Sequence, residues 1–127
     1  SRVLGDVYKR QHKDDAAEII EKMVDADVIV MATPVYFYTI SAQMKTLIDR
    51  CCGRYTEMNG KELYFIVTAA EDDRKKMHRT IDTFQGFLDC LEDPVIKGTV
   101  FGLGVWHKGE INGNPAMKDA YQMGKQV

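Results

Sequence analysis

The stretch that decides the fold is ATPVYFYTISAQMKTLIDRC, residues 32–51. An apolar run at residues 27–32 leads into it, Pro34 then breaks the run, and three aromatic residues follow at residues 36–38. Over residues 39–53 the apolar residues keep helical spacing, which predicts a helix. Packing would explain one aromatic ring at a turn between a strand and a helix. Three rings crowded there indicate a flat ligand.

Strands and helices alternate on both sides of that stretch. Helical spacing of apolar residues predicts four helices, at residues 14–25 and 39–53, from Asp72 or Asp73 to before Pro94, and from Asn114 onward. Apolar runs predict strands covered on both faces at residues 27–32 and 63–69, and a third strand at residues 95–103. Glycines at residues 98 and 102 are expected to weaken the third strand. The alternation predicts an α/β fold with a doubly wound parallel sheet.

Ligands of such sheets bind outside the carboxyl ends of the strands. Three segments of this sequence are predicted to converge there, at residues 33–38, 68–72 and 104–109. The aromatic turn is one of them, which places the expected flat ligand at this edge.

Composition excludes several classes of partner and site. The chain has 127 residues, enough for one domain, and 17 basic against 19 acidic residues give a net charge of −2. We therefore expect no nucleic-acid partner and no anionic membrane partner. Three cysteines, with Cys51 next to Cys52, predict neither a disulfide framework nor a zinc site, and they favour a reducing cytoplasm.

Residues 25–50, DADVIVMATPVYFYTISAQMKTLIDR, resemble a segment of the flavodoxin-like NAD(P)H-dependent FMN reductase family. In that family a similar apolar run, a PVYF-type turn and a helix ending in DR form the third strand and its helix. GKELYFIVTAAED, residues 60–72, resembles the fourth strand and its loop, and residues 114–127 resemble the closing helix. The resemblance covers about residues 12–127.

The resemblance implies a five-stranded flavodoxin-like sheet and one FMN per subunit in a homodimer or homotetramer. It also implies transfer of hydride from NADH or NADPH to FMN, and then of electrons to a quinone, a flavin or another small-molecule acceptor. In such proteins the flavin ring lies against the loops after the third and fourth strands. Those loops correspond here to Thr33, Pro34, Val35, Tyr36, Phe37, Thr68, Ala69, Ala70, Glu71 and Asp72. The cofactor does the chemistry, so we expect no catalytic side chain.

Each of these assignments has a plainer alternative. Tyr36 and Phe37 suit stacking on a flavin, which typically contributes ~0.5–1.5 kcal/mol beyond burial, whereas Tyr38 is expected to pack on neighbouring helices or at a dimer contact. Glu71 and Asp72 are also explained as helix caps, which leaves the backbone of residues 69–70 as the better flavin contact.

For two further motifs, the Trp106-His107 pair and Cys51, we prefer a structural role to a functional one. Trp106 is expected to cover a core edge and His107 to be solvated, with contact to a neighbouring subunit's flavin as the alternative. Cys51 falls on the inner face of its helix, where a buried thiol is inert, and a role in a redox centre or cluster is the lesser alternative.

Family members normally begin with a strand, a phosphate loop, a helix and a second strand, and we find no match to these parts. Residues 1–11, SRVLGDVYKRQ, resemble none of them. We therefore expect a disordered or artefactual leader at residues 1–11 and the C-terminal part of one domain at residues 12–127, a fragment with an exposed apolar sheet edge. The alternatives are a flavodoxin-type electron carrier without enzymatic activity and a fragment without activity by itself.

Overall fold

The computed structural model describes residues 14–127 of the chain, so the interpretation of residues 1–11 as a leader lies outside the described residues. Within them the strands and helices follow in the order α1 Ala16–Asp25, β1 Val28–Tyr36, β2 Thr39–Ile40, α2 Ala42–Arg50, β3 Glu62–Thr68, α3 His78–Leu88, β4 Val95–Gly102 and α4 Pro115–Gly124. The sheet has the order β2-β1-β3-β4. The strands β1, β3 and β4 are parallel, and the two-residue β2 runs antiparallel to the end of β1. The predicted α/β fold with a parallel sheet is confirmed.

Strand β1 is longer than the sequence predicts, because the chain stays extended through Pro34. That residue lies opposite Thr68 of β3, and the pairing with β2 begins only at Val35. Among the described residues, no strand pairs with residues 28–34 on the side away from β3. A proline is tolerated on such an edge, where no hydrogen bond from its nitrogen is needed. The predicted break of the strand at Pro34 is therefore wrong, and the turn falls at Phe37 and Tyr38.

The faces of β1 differ in exposure. Its buried residues Ile29, Met31 and Thr33 alternate with the exposed residues Val30, Ala32 and Pro34. The prediction that this strand is covered on both faces is thus wrong for residues 14–127. The prediction holds for the central strand β3, in which Leu63, Tyr64, Phe65 and Val67 are buried.

The main core lies on one face of the sheet. The rings of Phe65 and Phe84 stack at a centroid distance of 4.4 Å, which fixes α3 against β3. Ile20 and Met23 of α1 belong to the same cluster. Helix α4 covers the other face near β4, where a Cβ added to Gly98 would lie 2.9 Å from the sulfur of Met123. The glycines of β4 thus leave room for α4, and the strand forms over its full length despite them.

Polar side chains fix the starts of the helices. Ser41 accepts a hydrogen bond from the N–H of Met44 at 3.2 Å, and Asn114 accepts one from Ala116 at 3.0 Å with a proline in the first turn, as predicted. Helix α3 starts later than predicted, because Asp73 caps a 3₁₀ turn over residues 74–77 instead. None of the helices in residues 14–127 combines the length and the apolar character needed to cross a bilayer.

Candidate functional site

Three loops meet at the carboxyl end of the sheet, as the sequence predicts. The parallel strands end at Tyr36, Thr68 and Gly102. The loops after β3 and β4 are joined because Val105 N–H donates to Ala69 O and Gly104 N–H donates to Glu71 O, both at 3.1 Å. The hairpin after β1 joins them through side chains. We call residues 36–38, 69–73 and 103–113 together the loop edge.

The hairpin between β1 and β2 is strained at its tip. Phe37 and Tyr38 have φ values of 50° and 64°, in the left-handed region that type I′ turns normally fill with Asn and Gly. Each such residue with a side chain costs about 1–2 kcal/mol. The Phe37 side chain is also 99% exposed. Backbone strain of this kind is typical of functional sites, and here the exposed Phe37 ring makes no packing contacts within residues 14–127 that would offset it.

Buried threonines hold the hairpin in this conformation. The Thr80 hydroxyl of α3 donates to Tyr38 O at 3.0 Å. The Thr33 hydroxyl accepts a hydrogen bond from Ser41 N–H at 3.0 Å and donates to Pro34 O at 2.8 Å. Both threonines are fully or nearly fully buried. Sequence reasoning missed Thr80, because a contact across 42 positions leaves no local signal.

Backbone donors are available around the aromatic tip. Several N–H groups of the loop edge have no hydrogen-bond acceptor within residues 14–127. They are those of Phe37, Tyr38, Ala70, Glu71 and Asp72. This combination of aromatic side chains and free N–H groups matches a flat ring. Such a ring would have apolar faces and acceptor atoms along its edge. The chemistry of the donor set therefore fits an isoalloxazine ring.

Glu71 connects the hairpin to the loop after β3. Its carboxylate accepts hydrogen bonds from Lys76 Nζ at 2.7 Å, Asp73 N–H at 3.1 Å and the Tyr38 hydroxyl at 3.2 Å. Chiefly through Lys76, these donors lower the pKa of Glu71 to about 2, so the carboxylate is charged at neutral pH. Tyr38 was expected to pack on neighbouring helices or at a dimer contact. Its carbonyl accepts a hydrogen bond from Thr80 of α3, and its hydroxyl donates one to Glu71.

The structure places the ten predicted site residues in three environments. The exposed ones are Pro34, Tyr36, Phe37 and Asp72; the half-buried ones are Val35, Thr68, Ala70 and Glu71; and the buried ones are Thr33 and Ala69. Val35 packs against the hydrophobic core. Direct side-chain contact with a ligand is therefore open to the four exposed residues, of which Tyr36 and Phe37 carry aromatic rings. For the others a ligand contact would go through the backbone. The backbone of Ala69, predicted with that of Ala70 as the better flavin contact, is already engaged, because its N–H donates to Gly102 O at 2.9 Å and its carbonyl accepts from Val105 N–H at 3.1 Å.

The loop after β4 presents a tryptophan to solvent. Trp106 is 76% exposed, so the prediction that it covers a core edge is wrong. The Glu110 carboxylate accepts hydrogen bonds from the N–H groups of Trp106 at 2.7 Å and His107 at 2.9 Å, which lowers the pKa of Glu110. Asn114 donates to Leu103 O at 2.9 Å and fixes the other end of the loop. Sequence reasoning found Asn114 only as a helix cap and missed Glu110.

The cysteines lie away from the loop edge. All three line a cavity of about 470 Å³ between the end of α2 and helix α3. Burial raises the pKa of Cys51 to about 11, so this thiol stays protonated and unreactive, in line with the structural role predicted for it. Within residues 14–127, no three His, Cys, Asp or Glu side chains are grouped so that they could hold a metal ion.

Comparison with known proteins identifies relatives over most of the chain. The family model described as NADPH-dependent FMN reductase matches residues 3–108. An iron-sulfur flavoprotein of Archaeoglobus fulgidus is 30% identical over 130 residues, which cover 97% of this chain and 53% of that protein. An FMN-dependent NADH:quinone oxidoreductase of Azospirillum brasilense is 29% identical over 108 residues, which cover 68% of this chain and 50% of that protein. The chain thus spans about half the length of these curated relatives.

A solved structure shares the fold. The Trp repressor binding protein from Bacillus subtilis superposes with a TM-score of 0.74 over 89% of this chain and 78% of that chain, at 24% sequence identity. The likeness shows that the described sheet and helices are arranged as in a flavodoxin-like protein.

Proposed function

Because the chain belongs to the NADPH-dependent FMN reductase family, we propose that the protein binds FMN at the loop edge and oxidises NADH or NADPH. The reducing equivalents pass through FMN to a small-molecule acceptor. A quinone is the first acceptor to test, because the description of the Azospirillum brasilense relative names one.

The observation that carries the proposal is the strained and exposed tip of the hairpin. Phe37 is held with a φ of 50° and is 99% exposed, beside N–H groups that have no acceptor in the described part of the chain. Bound FMN would give both features a partner. Its ring offers an apolar face to Tyr36 and Phe37, worth ~0.5–1.5 kcal/mol beyond burial for an aromatic pair, and acceptor atoms to the backbone.

The residues of this chain bind and orient, whereas FMN when bound supplies the hydride chemistry. Tyr36 and Phe37 would hold a face of the ring, and the N–H groups of Ala70 and Asp72 would hold its polar edge. Glu71 fixes the hairpin against the loop after β3. With a pKa of about 2, Glu71 carries no proton at neutral pH and is not a general acid.

The proposal includes the assembly and the compartment of the protein. We expect a homodimer or homotetramer, because the exposed Phe37 and Trp106 at the loop edge would lose exposed apolar surface on association. We also expect a reducing cytoplasm, in which three free cysteines persist. Analytical ultracentrifugation of the FMN-loaded protein tests the first expectation, and a single monomeric species would contradict it.

Flavin content and its reduction test the proposed function. We expect the purified protein, titrated with FMN, to gain visible flavin absorption bands that remain after gel filtration. Adding NADPH or NADH without oxygen should bleach these bands, and a quinone should restore them. Bound flavin that neither coenzyme bleaches would favour an electron carrier, and failure to bind FMN would overturn the proposal.

The variant Phe37→Asn separates the role of the ring from that of the turn. Asn tolerates positive φ, so we expect the free energy of unfolding to stay equal or rise, because the ring makes little contact. Loss of one aromatic contact should weaken FMN binding about twofold to tenfold in a fluorescence titration. Tyr121→Gln, at an exposed aromatic residue of α4, is the matched control and should bind FMN as the wild type does.

A further inference from the structure

A recess lined by basic groups lies beside the hairpin tip. It has a volume of about 210 Å³, and its lining consists of Tyr38, Lys76, His78 and Arg79. We call these four residues the basic recess. All four side chains carry a hydrogen-bond donor or a protonatable nitrogen, and none carries a carboxylate.

The basic recess keeps positive charge after its local ion pairs are counted. Lys76 is paired with Glu71 at 2.7 Å, but Arg79 has no ion pair to any residue in 14–127. The sequence from residue 74 to residue 79 is RKKMHR, with four fixed cations and no acid. Arg74 lies over the Phe101 ring at 4.3 Å and lines a cavity other than the basic recess.

Three acidic residues, Glu71, Asp73 and Asp82, lie near the basic recess without lining it. Glu71 accepts hydrogen bonds from Lys76, Tyr38 and Asp73 N–H. Asp73 accepts a hydrogen bond from Lys75 N–H at 2.9 Å. Asp82 lines a different cavity, together with Arg74 and Phe101. None of the three carboxylates lines the basic recess, although Glu71 pairs with Lys76 at its side. The cation without an ion pair in residues 14–127 that an anion meets there is Arg79.

The basic recess is continuous with the loop edge. Tyr38 belongs to both, and Lys76 contacts Glu71 of the loop after β3. A molecule whose reactive end lies at the hairpin tip could therefore place another part of its length in the basic recess. The two nicotinamide coenzymes differ only in the 2′-phosphate of NADPH, a group that proteins recognise with Arg and Lys.

We propose that Arg79 and Lys76 bind the 2′-phosphate of NADPH in the basic recess and make the protein prefer NADPH to NADH. This inference rests on the proposed function, because it takes the nicotinamide coenzymes as the substrates. The planar fork of Arg79 can donate two hydrogen bonds to one phosphate, and Lys76 adds a second positive charge. NADH lacks this phosphate, so with NADH bound Lys76 keeps only its ion pair with Glu71, and Arg79 has no ion pair within residues 14–127.

The kinetic test compares Arg79→Gln with the wild type, both loaded with FMN. We expect the KM for NADPH to rise about 10- to 100-fold, as for loss of a charge-assisted hydrogen bond, with the KM for NADH and both kcat values unchanged. Lys118→Gln removes one positive charge from the exposed surface of α4 and should change neither KM. An equal rise in both KM values, or no rise, would overturn the inference.

A binding test does not depend on turnover. Titration calorimetry of the protein with 2′,5′-ADP and with 5′-AMP isolates the contribution of the 2′-phosphate. We expect 2′,5′-ADP to bind more tightly to the wild type and the two ligands to bind equally to Arg79→Gln. Equal affinity in the wild type would contradict the inference.

The two proposals fail in different ways. If both coenzymes reduce the flavin and Arg79→Gln changes nothing, the basic recess is not a phosphate site and the reductase function stands. If neither coenzyme reduces the flavin, the proposed reductase function is wrong. The inference about NADPH is then wrong too, whatever result the calorimetry gives.

Discussion

Glu71 shows at the scale of one residue how ionisation is coupled to the local structure. Its pKa is lowered from 4.5 to about 2, with the hydrogen bond from Lys76 as the largest cause. Carbon-13 NMR of the carboxyl group should therefore show a titration midpoint near 2. Lys76→Met should raise the midpoint, whereas Lys45→Met, which removes the ion pair with Asp49, should not. A midpoint near 4.5 in the wild type would contradict the structure.

The same shift sets the sign of a pH effect on stability. Because the pKa is lower in the folded state, the contribution of Glu71 to stability is fully present above about pH 4.5 and is lost as pH falls through about 2. The difference in urea midpoint between the wild type and Glu71→Gln should therefore narrow as pH falls through this window. A difference that is constant from pH 6 to pH 3 would exclude this contribution of Glu71.

For single residues, the sequence predicted flavin contact for Tyr36 and Phe37, which stays a prediction, and it did not predict the conformation of the turn. Phe37 and Tyr38 both have positive φ, yet neither is a Gly or Asn, the residues that normally indicate such a turn. A residue held in this region by tertiary contacts, here the hydrogen bond from Thr80 to Tyr38 O, carries no local sequence signal.

The hairpin is the element on which the candidate site depends, and Thr33 holds its base. Thr33→Val should lower the free energy of unfolding by about 1–3 kcal/mol, because it leaves the buried Ser41 N–H without an acceptor. Urea unfolding measures this loss. Thr46→Val makes the same chemical change on the exposed surface of α2 and should alter stability by about 0.5 kcal/mol at most. Equal effects of both variants would show that the Thr33 hydrogen bond does not hold the hairpin.

The start of a helix was predicted correctly where the sequence offers an unambiguous capping residue. Asn114 followed by a proline marks the start of α4, and the structure confirms it. Helix α3 begins after a 3₁₀ turn whose cap, Asp73, was taken as a helix cap, because a side-chain oxygen that accepts a backbone N–H looks the same in both cases.

For the whole molecule, alternation of strands and helices was enough to predict the parallel sheet and the edge at which the loops meet. It did not predict that β1 is covered on one face only within residues 14–127. An apolar run such as residues 27–32 fits a strand covered on one face or on both, because burial depends on which helices pack there. The hydrogen bonds that join the loop edge, such as Val105 N–H to Ala69 O, lie where the neighbouring strands β3 and β4 end.

Trp106 is the single tryptophan of the sequence, and it stands exposed on the loop edge rather than in the core. Its fluorescence should therefore already have the red-shifted emission of a solvated indole in the folded protein, and unfolding in urea should shift that emission little. Flavin absorbs where indole emits, so FMN at the loop edge should quench Trp106 by energy transfer. The tryptophan fluorescence of this protein then reports whether FMN is bound but changes little on unfolding. Unfolding must therefore be measured by circular dichroism.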